Sequence, residues 1–449
     1  MKRQNKISSQ YVLENLRVGR AIYMLLPLLL GLFACYNQFK TNLTDEEWPR
    51  VIKVDGKGYY AYLPAIFVHN DLNFSWFQEV EVENAIDPNL IYWYTYNFEG
   101  NTVNKYFVGE AVLLTPFFLV AHFWCWISNS PMTGFSFPYI FMLSVAALFY
   151  FILGAFFIKK SLEKFGASRL AVCVSLLAVC LGTNLYYYTI REYSMSHVYS
   201  FAMVALFVYL IISFFQNHKT STLITAAACL GLIVLIRPVN GLVVLAIPFL
   251  AGTYTQLKTG VNWFFSKPLI ALCSALVTGL VLCIQLIIYK IQTGSWWVYS
   301  YAEEGFNFDH PEIFNFLLSY KKGLFVYTPV TALALIGFVA LFWKKKWYRS
   351  ITLFAFLALV VFVLSSWWMW FYGGSFSCRP MIEYYPFFAF LFAFAIDGMK
   401  RWYLQLSLII ALVFCVWLNQ GQTWQYVMGS MHWDSMDKEF YWRIFPLLF

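Results

Sequence analysis

Residues 106–127 read YFVGEAVLLTPFFLVAHFWCWI, and the fold turns on whether this run crosses a membrane. It is long enough for roughly 30 Å of hydrocarbon. Counted as a crossing, it places Lys159, Lys160, Lys164 and Arg169 on the side opposite the basic start of the chain, which carries Lys2, Arg3, Lys6, Arg17 and Arg20. That breaks the rule that short cytoplasmic segments collect Lys and Arg. Pro116 in the middle of the run and its ring-rich close, AHFWCW, suit a helix that lies in the interface or dips back on the outer side. With 106–127 so assigned, the crossings fall at about 21–39, 136–158, 169–190, 197–216, 221–236, 240–256, 268–289, 323–343, 350–371, 385–399 and 402–418. The expected architecture is therefore an all-α polytopic membrane protein with about 11 transmembrane helices and juxtamembrane or interfacial helices in its first outer loop.

The composition agrees. Of 449 residues 60% are hydrophobic, 21% aromatic and only 12% charged, against roughly a quarter charged in a soluble domain. Under this topology the inner side collects roughly 18 bases and roughly 3 acids (Glu14, Glu163, Asp397), leaving about +15 inside and about −7 outside. The start, MKRQNKISSQ, has no short apolar core with a small-residue cleavage site and reads as a cytoplasmic tail over 1–20. One membrane domain, 1–449, is expected, with outer segments at 40–135 and 290–322 and an outer tail at 419–449. No repeat or linker divides it. The nine cysteines show no CxxC or zinc spacing, and a Cys125–Cys378 disulfide is not expected. The net charge of +8 is spread over short loops, so nucleic acid is not an expected partner.

The chemistry is sought in the first outer segment. Residues 44–47, TDEE, spell a capping box with Pro49 tolerated early in the helix that follows. Asp55-Gly-Lys-Gly58 then breaks the pattern before an interfacial helix at 59–68. Asp55 sits at that bend, with Tyr59 and Tyr62 on the next turns. It serves either as a helix cap or as a catalytic carboxylate. Arg237, at or within a span, is costly unless functional or paired. Arg379 stands in an outer loop beside Glu383 and either pairs with it or faces a substrate. Lys105 begins the 106–127 run, where a lysine can snorkel or bind phosphate. Glu192 and His197 form a second outer cluster that could hold a divalent ion or simply be hydrogen-bonded. The stretch 296–311, WWVYSYAEEGFNFDHP, sets Glu303, Glu304, Asp309 and His310 among rings, as an aromatic belt or as a sugar-binding surface. Glu79, Glu81 and Glu83 read as a solvated face.

Several stretches carry a resemblance: VDGKGYYAYLPAIF (54–67), NKYFVGEAVLLTPFF (104–118), EYSMSHVYSF (192–201), LIRPVNG (235–241), GLFVYTPV (323–330) and YGGSFSCRPMIEYYPF (372–387). In this order the sequence resembles integral-membrane glycosyltransferases of the GT-C fold, the group of protein O-mannosyltransferases and the lipid A aminoarabinose transferase. Within it the sequence is most similar to bacterial mannosyltransferase-like members of the family 39 type. The resemblance implies an inverting enzyme of the bacterial inner membrane with its N-terminus cytoplasmic and its site periplasmic. It implies a polyprenyl-phosphate sugar donor and a lipid, glycan or protein acceptor. It further implies Asp55 as general base, with Lys105, Arg379 and Arg237 as donor-phosphate ligands. Tyr59, Glu192, His197, Glu303, Glu304 and Glu383 are the expected sugar or acceptor contacts. Related enzymes often carry a second acid where this chain has His197, so no obligatory metal is expected and a divalent cation stays optional. Two other readings remain. An O-antigen ligase or polymerase would use a diphosphate-linked glycan and lean on outer arginines. A transporter or flippase would place charges in mid-membrane broken helices, with repeats.

Overall fold

The computed structural model describes residues 19–39, 51–83 and 91–448. The 44–47 capping box, Pro49 and all but the end of the 1–20 tail lie outside the described residues, as does the side chain of Glu83.

Long apolar helices make up most of the chain. α1 (Arg20–Gln38) is followed by a short helix, α2 (Asp55–Tyr60), and then by α3 (Gly109–Ser128). α4 (Phe137–Lys164) starts after Ser136 with Pro138 in its first turn, where a missing N–H costs nothing. α5 (Arg169–Gly182) is capped by the Ser168 hydroxyl, which accepts from Ala171 N at 3.2 Å. α6 (His197–Asn217), α7 (Thr220–Ile236), α8 (Pro268–Thr293), α9 (Trp347–Ser365), α10 (Tyr385–Gly398) and α11 (Trp402–Val427) complete the set. Among the described residues eight helices are long and apolar enough to cross a membrane, and four shorter apolar helices add to them. α3 is one of the eight, and the other eleven apolar helices fall at the eleven stretches expected from the sequence.

Side-chain contacts define two ends. Tyr23 on α1 donates to Glu163 at 2.7 Å, Lys159 and Lys160 each pair with Glu163 at 3.2 Å, and Asp397 accepts from Ser168. These residues gather the basic end. α6 runs alongside α4 in the same direction: Tyr150 meets Tyr199, Phe157 meets Tyr209, and Lys164 reaches Gln216. α3 packs only on the other half of α4, through Leu113 against Tyr150, Phe117 against Phe149 and Trp124 against Phe141.

Over an 18-residue stretch, α6 and the segment from Arg379 through α10 bury 89% and 83% of their positions, whereas α8 buries only 11%. The first two form the inner wall. α8 turns Leu269, Leu272, Leu276, Leu280, Ile287 and Ile291 outward, a stripe that would aggregate in water and is at home in hydrocarbon. This is a multi-pass membrane protein.

Several boundaries differ from expectation for local reasons. The 169–190 stretch breaks at Thr183, whose hydroxyl bonds back to Val179 O, and a separate helix covers Leu185–Ile190. The 240–256 stretch is a 3-10 helix over Pro238–Ala246 followed by Ile247–Ala251. The 323–343 stretch is interrupted at Thr328-Pro329, where proline has no N–H to continue the ladder. α11 runs to Val427 rather than 418, because Asn419, Gln422 and Thr423 are hydrogen-bonded inside the fold. A hairpin also appears in the first outer segment. β1 (Thr95–Phe98) and β2 (Asn101–Asn104) pair antiparallel, Phe98 opposite Asn101, around Glu99 and Gly100 at φ 48° and 86°. Two consecutive left-handed residues suit a tight hairpin turn.

Candidate active site

Asp55 opens α2, directly after Val54, which is held at φ 43°. A β-branched residue in that region is strained by about 1–3 kcal/mol, and close packing maintains it. A Cβ on Gly56 would lie 2.3 Å from Ser194 Oγ, and one on Gly58 would lie 2.1 Å from the Tyr106 ring. Ser194 Oγ in turn donates to Val51 O at 2.9 Å, and Asn104 donates to Gly58 O at 2.8 Å. The two glycines of DGKG thus let the backbone press against both neighbours, and this presents the Asp55 carboxylate to Tyr106.

Asp55 Oδ1 accepts from Tyr106 OH at 2.7 Å and from Tyr92 OH at 3.0 Å, and the two phenol oxygens are 2.6 Å apart. Asp55 Oδ2 accepts from Arg379 Nη2 at 2.6 Å. The Asp55 side chain keeps 20% of its surface exposed and that of Arg379 10%, so the pair is sheltered but reachable. Burial pushes the Asp55 carboxyl up, yet the Arg379 guanidinium, the Tyr106 and Tyr92 hydroxyls and Lys105 together hold it down at about 2.

Arg379 begins the 3-10 turn Arg379–Tyr384 that leads into α10. Its Nη1 meets only the Met195 thioether at 3.7 Å, and its buried Nε has no hydrogen-bond partner. Arg237, at the end of α7, is anchored differently. Its Nη1 lies 3.1 Å from Glu383 Oε1, and His197 Nδ1 shares the same oxygen at 3.0 Å. Glu383 is fully buried, so it fixes Arg237 from behind. Lys105 follows β2 and pairs with Glu304 at 2.5 Å. The loop carrying Glu304 is tied down by Ser300 Oγ to Lys105 O at 2.8 Å and by Trp368 N to Gly305 O at 3.0 Å.

These groups enclose a cavity of about 700 Å³. Its polar lining is Asp55, Lys105, Arg237, Glu304, Arg379, Tyr59, Tyr92 and Tyr106, and its apolar lining includes Val234 and Leu235 on α7, Leu282 and Leu286 on α8, and Trp297, Phe306 and Trp367. Such a volume, largely apolar with a few convergent polar groups, is typical of a small-molecule site.

Of the residues singled out in the sequence, Asp55, Tyr59, Lys105, Arg237, Glu304 and Arg379 line this cavity. Glu192, His197, Glu303 and Glu383 do not. Glu192 is engaged by Tyr187 OH at 2.8 Å and Lys53 at 3.0 Å, and Glu303 is exposed on the loop surface. Glu383 pairs with Arg237 and His197 rather than with its sequence neighbour Arg379. Among the described residues no group of three or more His, Cys, Asp or Glu side chains is arranged to hold a metal ion. His197 faces one carboxylate and a guanidinium, not two acids. Glu81, read as solvated, instead forms a buried ion pair with Lys57. All nine cysteines are free thiols. Tyr92 and Tyr106 were not anticipated. In a chain with 31 tyrosines nothing marks these two except Tyr106 following Lys105.

Compared with known proteins, the sequence matches no protein-family model and no curated relative. Among solved structures it is similar to the archaeal oligosaccharyltransferase AglB from Archaeoglobus fulgidus, in complex with an inhibitory peptide and a dolichol-phosphate. The identity is 10% and the TM-score 0.42, over 95% of this chain and 54% of that one. The chain therefore spans about half the length of that enzyme.

Proposed function

We propose that this chain is a membrane glycosyltransferase of the GT-C kind that moves a sugar from a polyprenyl-phosphate carrier to a hydroxyl or amine acceptor. The observation that carries the reading is one cavity lined both by a carboxylate, two arginines and a lysine and by many apolar side chains. A prenyl phosphate has the same division: an anionic head beside a long apolar tail. The apolar lining from α7 and the sparsely buried α8 would take the tail.

In the reaction so drawn, the acceptor oxygen or nitrogen attacks the anomeric carbon as its proton passes to Asp55. The bond from the anomeric carbon to the phosphate oxygen breaks, and the electron pair leaves with the prenyl phosphate. One displacement inverts the anomeric centre. Arg379, Arg237 and Lys105 meet the charge that grows on the departing phosphate, where preorganised donors stabilise the transition state most. The positive end at 159–169 and α3's confinement to the other half of α4 support a site on the outer leaflet of a bacterial plasma membrane, with the N-terminus inside.

The test is vesicle-reconstituted protein given labelled polyprenyl-phosphate sugars and a total envelope extract as acceptor. Release of prenyl phosphate with label appearing in the extract is expected. Movement of the intact lipid across the vesicle without covalent transfer would overturn the reading. Two arginines in one cavity also suit a diphosphate carrier; Arg379→Ala abolishing transfer while Asp55→Asn spares it would favour that ligase-like reading.

A further inference from the structure

The two cavity arginines differ in where their counter-ions stand. Arg237 is neutralised from outside the cavity by Glu383, which is fully buried and shared with His197. Arg379 is neutralised from inside it, by Asp55, the one acid proposed for the chemistry. The contact with Asp55 also uses only part of what Arg379 offers. Nε and Nη2 form one edge of a guanidinium, a fork that matches two oxygens of a carboxylate or phosphate. Here Nη2 holds a single carboxylate oxygen, while Nε on the same edge is buried and without a partner. A buried donor left unpaired is costly, and an anion able to take both donors of the edge would displace one that takes one.

From this geometry we infer that Arg379 restrains Asp55 until a lipid phosphate arrives, whereupon the guanidinium edge passes from Asp55 Oδ2 to two phosphate oxygens and frees Oδ2 as the proton-accepting atom. The inference rests on the proposed function and adds to it an order of events. Asp55 would not swing away when released, because Oδ1 stays held by Tyr106 and Tyr92. The exchange therefore turns over one oxygen of the carboxylate and leaves the other fixed. In the resting state the carboxylate is a poor base, held at about 2 mainly by Arg379 against the effect of burial. Its charged and titratable surroundings are Arg379, Lys105, Tyr92, Tyr106, Tyr59 and Tyr301. Among the described residues only Arg379 is both in ionic contact with Asp55 and provided with an unpaired donor. With the phosphate seated, Asp55 loses its cation and gains an anionic neighbour, and both changes raise its basicity. Proton removal is thereby confined to the donor-loaded protein.

The experiment uses the full-length protein in detergent, with farnesyl phosphate as probe and farnesol as the uncharged control. Carbodiimide coupling of an amine to Asp55 is followed by peptide mass spectrometry across pH, and the pH midpoint of labelling is read. The midpoint does not depend on how easily the reagent enters. Farnesyl phosphate should raise it by about one pH unit or more, and farnesol should leave it in place. Arg379→Gln should show the raised midpoint without any ligand. If farnesyl phosphate raises the thermal midpoint but leaves the Asp55 labelling midpoint unchanged, phosphate binding stands and the exchange is overturned. If farnesyl phosphate does not bind at all, both the exchange and the proposed function fall. A folded Arg379→Gln protein with the wild-type labelling midpoint would also overturn the exchange.

Discussion

Replacing Asp55 by Asn separates what the carboxylate does for the fold from what it does for chemistry. In the structure the Asp55 carboxyl is held at about 2, against an ordinary 3.8. A shift of nearly two units corresponds to about 2 kcal/mol favouring the ionised native state. Asn keeps the shape but not the charge, so the variant should lose about 2 kcal/mol at pH 7 and leave Arg379 facing an amide. The folded value lies below the unfolded one, so this stabilisation is complete above about pH 4 and disappears as pH falls towards 2. The wild type should weaken across that window, and Asp55→Asn should lack that component. A general base contributes roughly 10²–10⁴ in rate, so transfer should fall at least 100-fold at temperatures where the variant remains folded. Tryptophan fluorescence melts of detergent-purified protein read the first effect; label transfer from polyprenyl-phosphate sugars in vesicles reads the second. An inserted, folded Asp55→Asn protein retaining more than a tenth of wild-type transfer would refute the role given to Asp55.

Three further outcomes follow from the packing. Glu383→Gln strands the Arg237 guanidinium beside His197 without its buried acid; a loss of about 3 kcal/mol is expected, read as a lowered thermal midpoint, and a wild-type melt would contradict it. Gly58→Ala drives a methyl to 2.1 Å from the Tyr106 ring, which is only 3% exposed and must shift towards the cavity it lines; a loss of about 1–3 kcal/mol should accompany reduced transfer as Tyr106 leaves Asp55. Lys322 donates to the carbonyls of Ser375 and Trp433, and burial pushes its ammonium down to about 7 from an ordinary 10.5 despite the nearby Asp434 and Glu192. Its folded value lies below the unfolded one, so stability should climb as pH rises from about 7 to about 10.5. Lys322→Met should remove that slope, and parallel pH profiles of the two proteins would show that Lys322 does not titrate there.

The crossings were legible because each needs only a run of apolar residues and a consistent charge on its flanks. The balance between Lys159, Lys160, Lys164 and the N-terminal bases set α3 apart in the sequence, and in the structure α3 packs on one half of α4. Breaks inside spans were not legible. Thr183 and Thr328 stop helices by local hydrogen bonding and backbone geometry, which hydropathy does not register. The Glu99–Gly100 turn likewise lacks the Asn-Gly spelling that announces a hairpin. At the site, Arg237 could be picked out because a charge at or within a span is costly and calls for a reason, whereas Asp55 and Lys105 took their expected roles from the family resemblance. The pairing of these charges could not be read. Arg379 stands four residues before Glu383, yet the 3-10 turn points one towards Asp55 and the other towards Arg237 and His197. Tyr92 and Tyr106 stayed hidden because hydroxyls that matter look the same in sequence as hydroxyls that pack.

The Asp55–Arg379 contact also bears on how the protein is made. The two partners lie 324 positions apart in the chain. At about 5–20 residues per second, roughly 16 to 65 s of synthesis separate them. Throughout that interval the carboxylate has been delivered to its place, while its cation has yet to leave the ribosome. A nascent chain that stalls or is cut before the turn at Arg379–Tyr384 therefore presents Asp55 without the guanidinium it pairs with. Completion of the ion pair thus reports that the chain has been made at least as far as Arg379, more than four-fifths of its length.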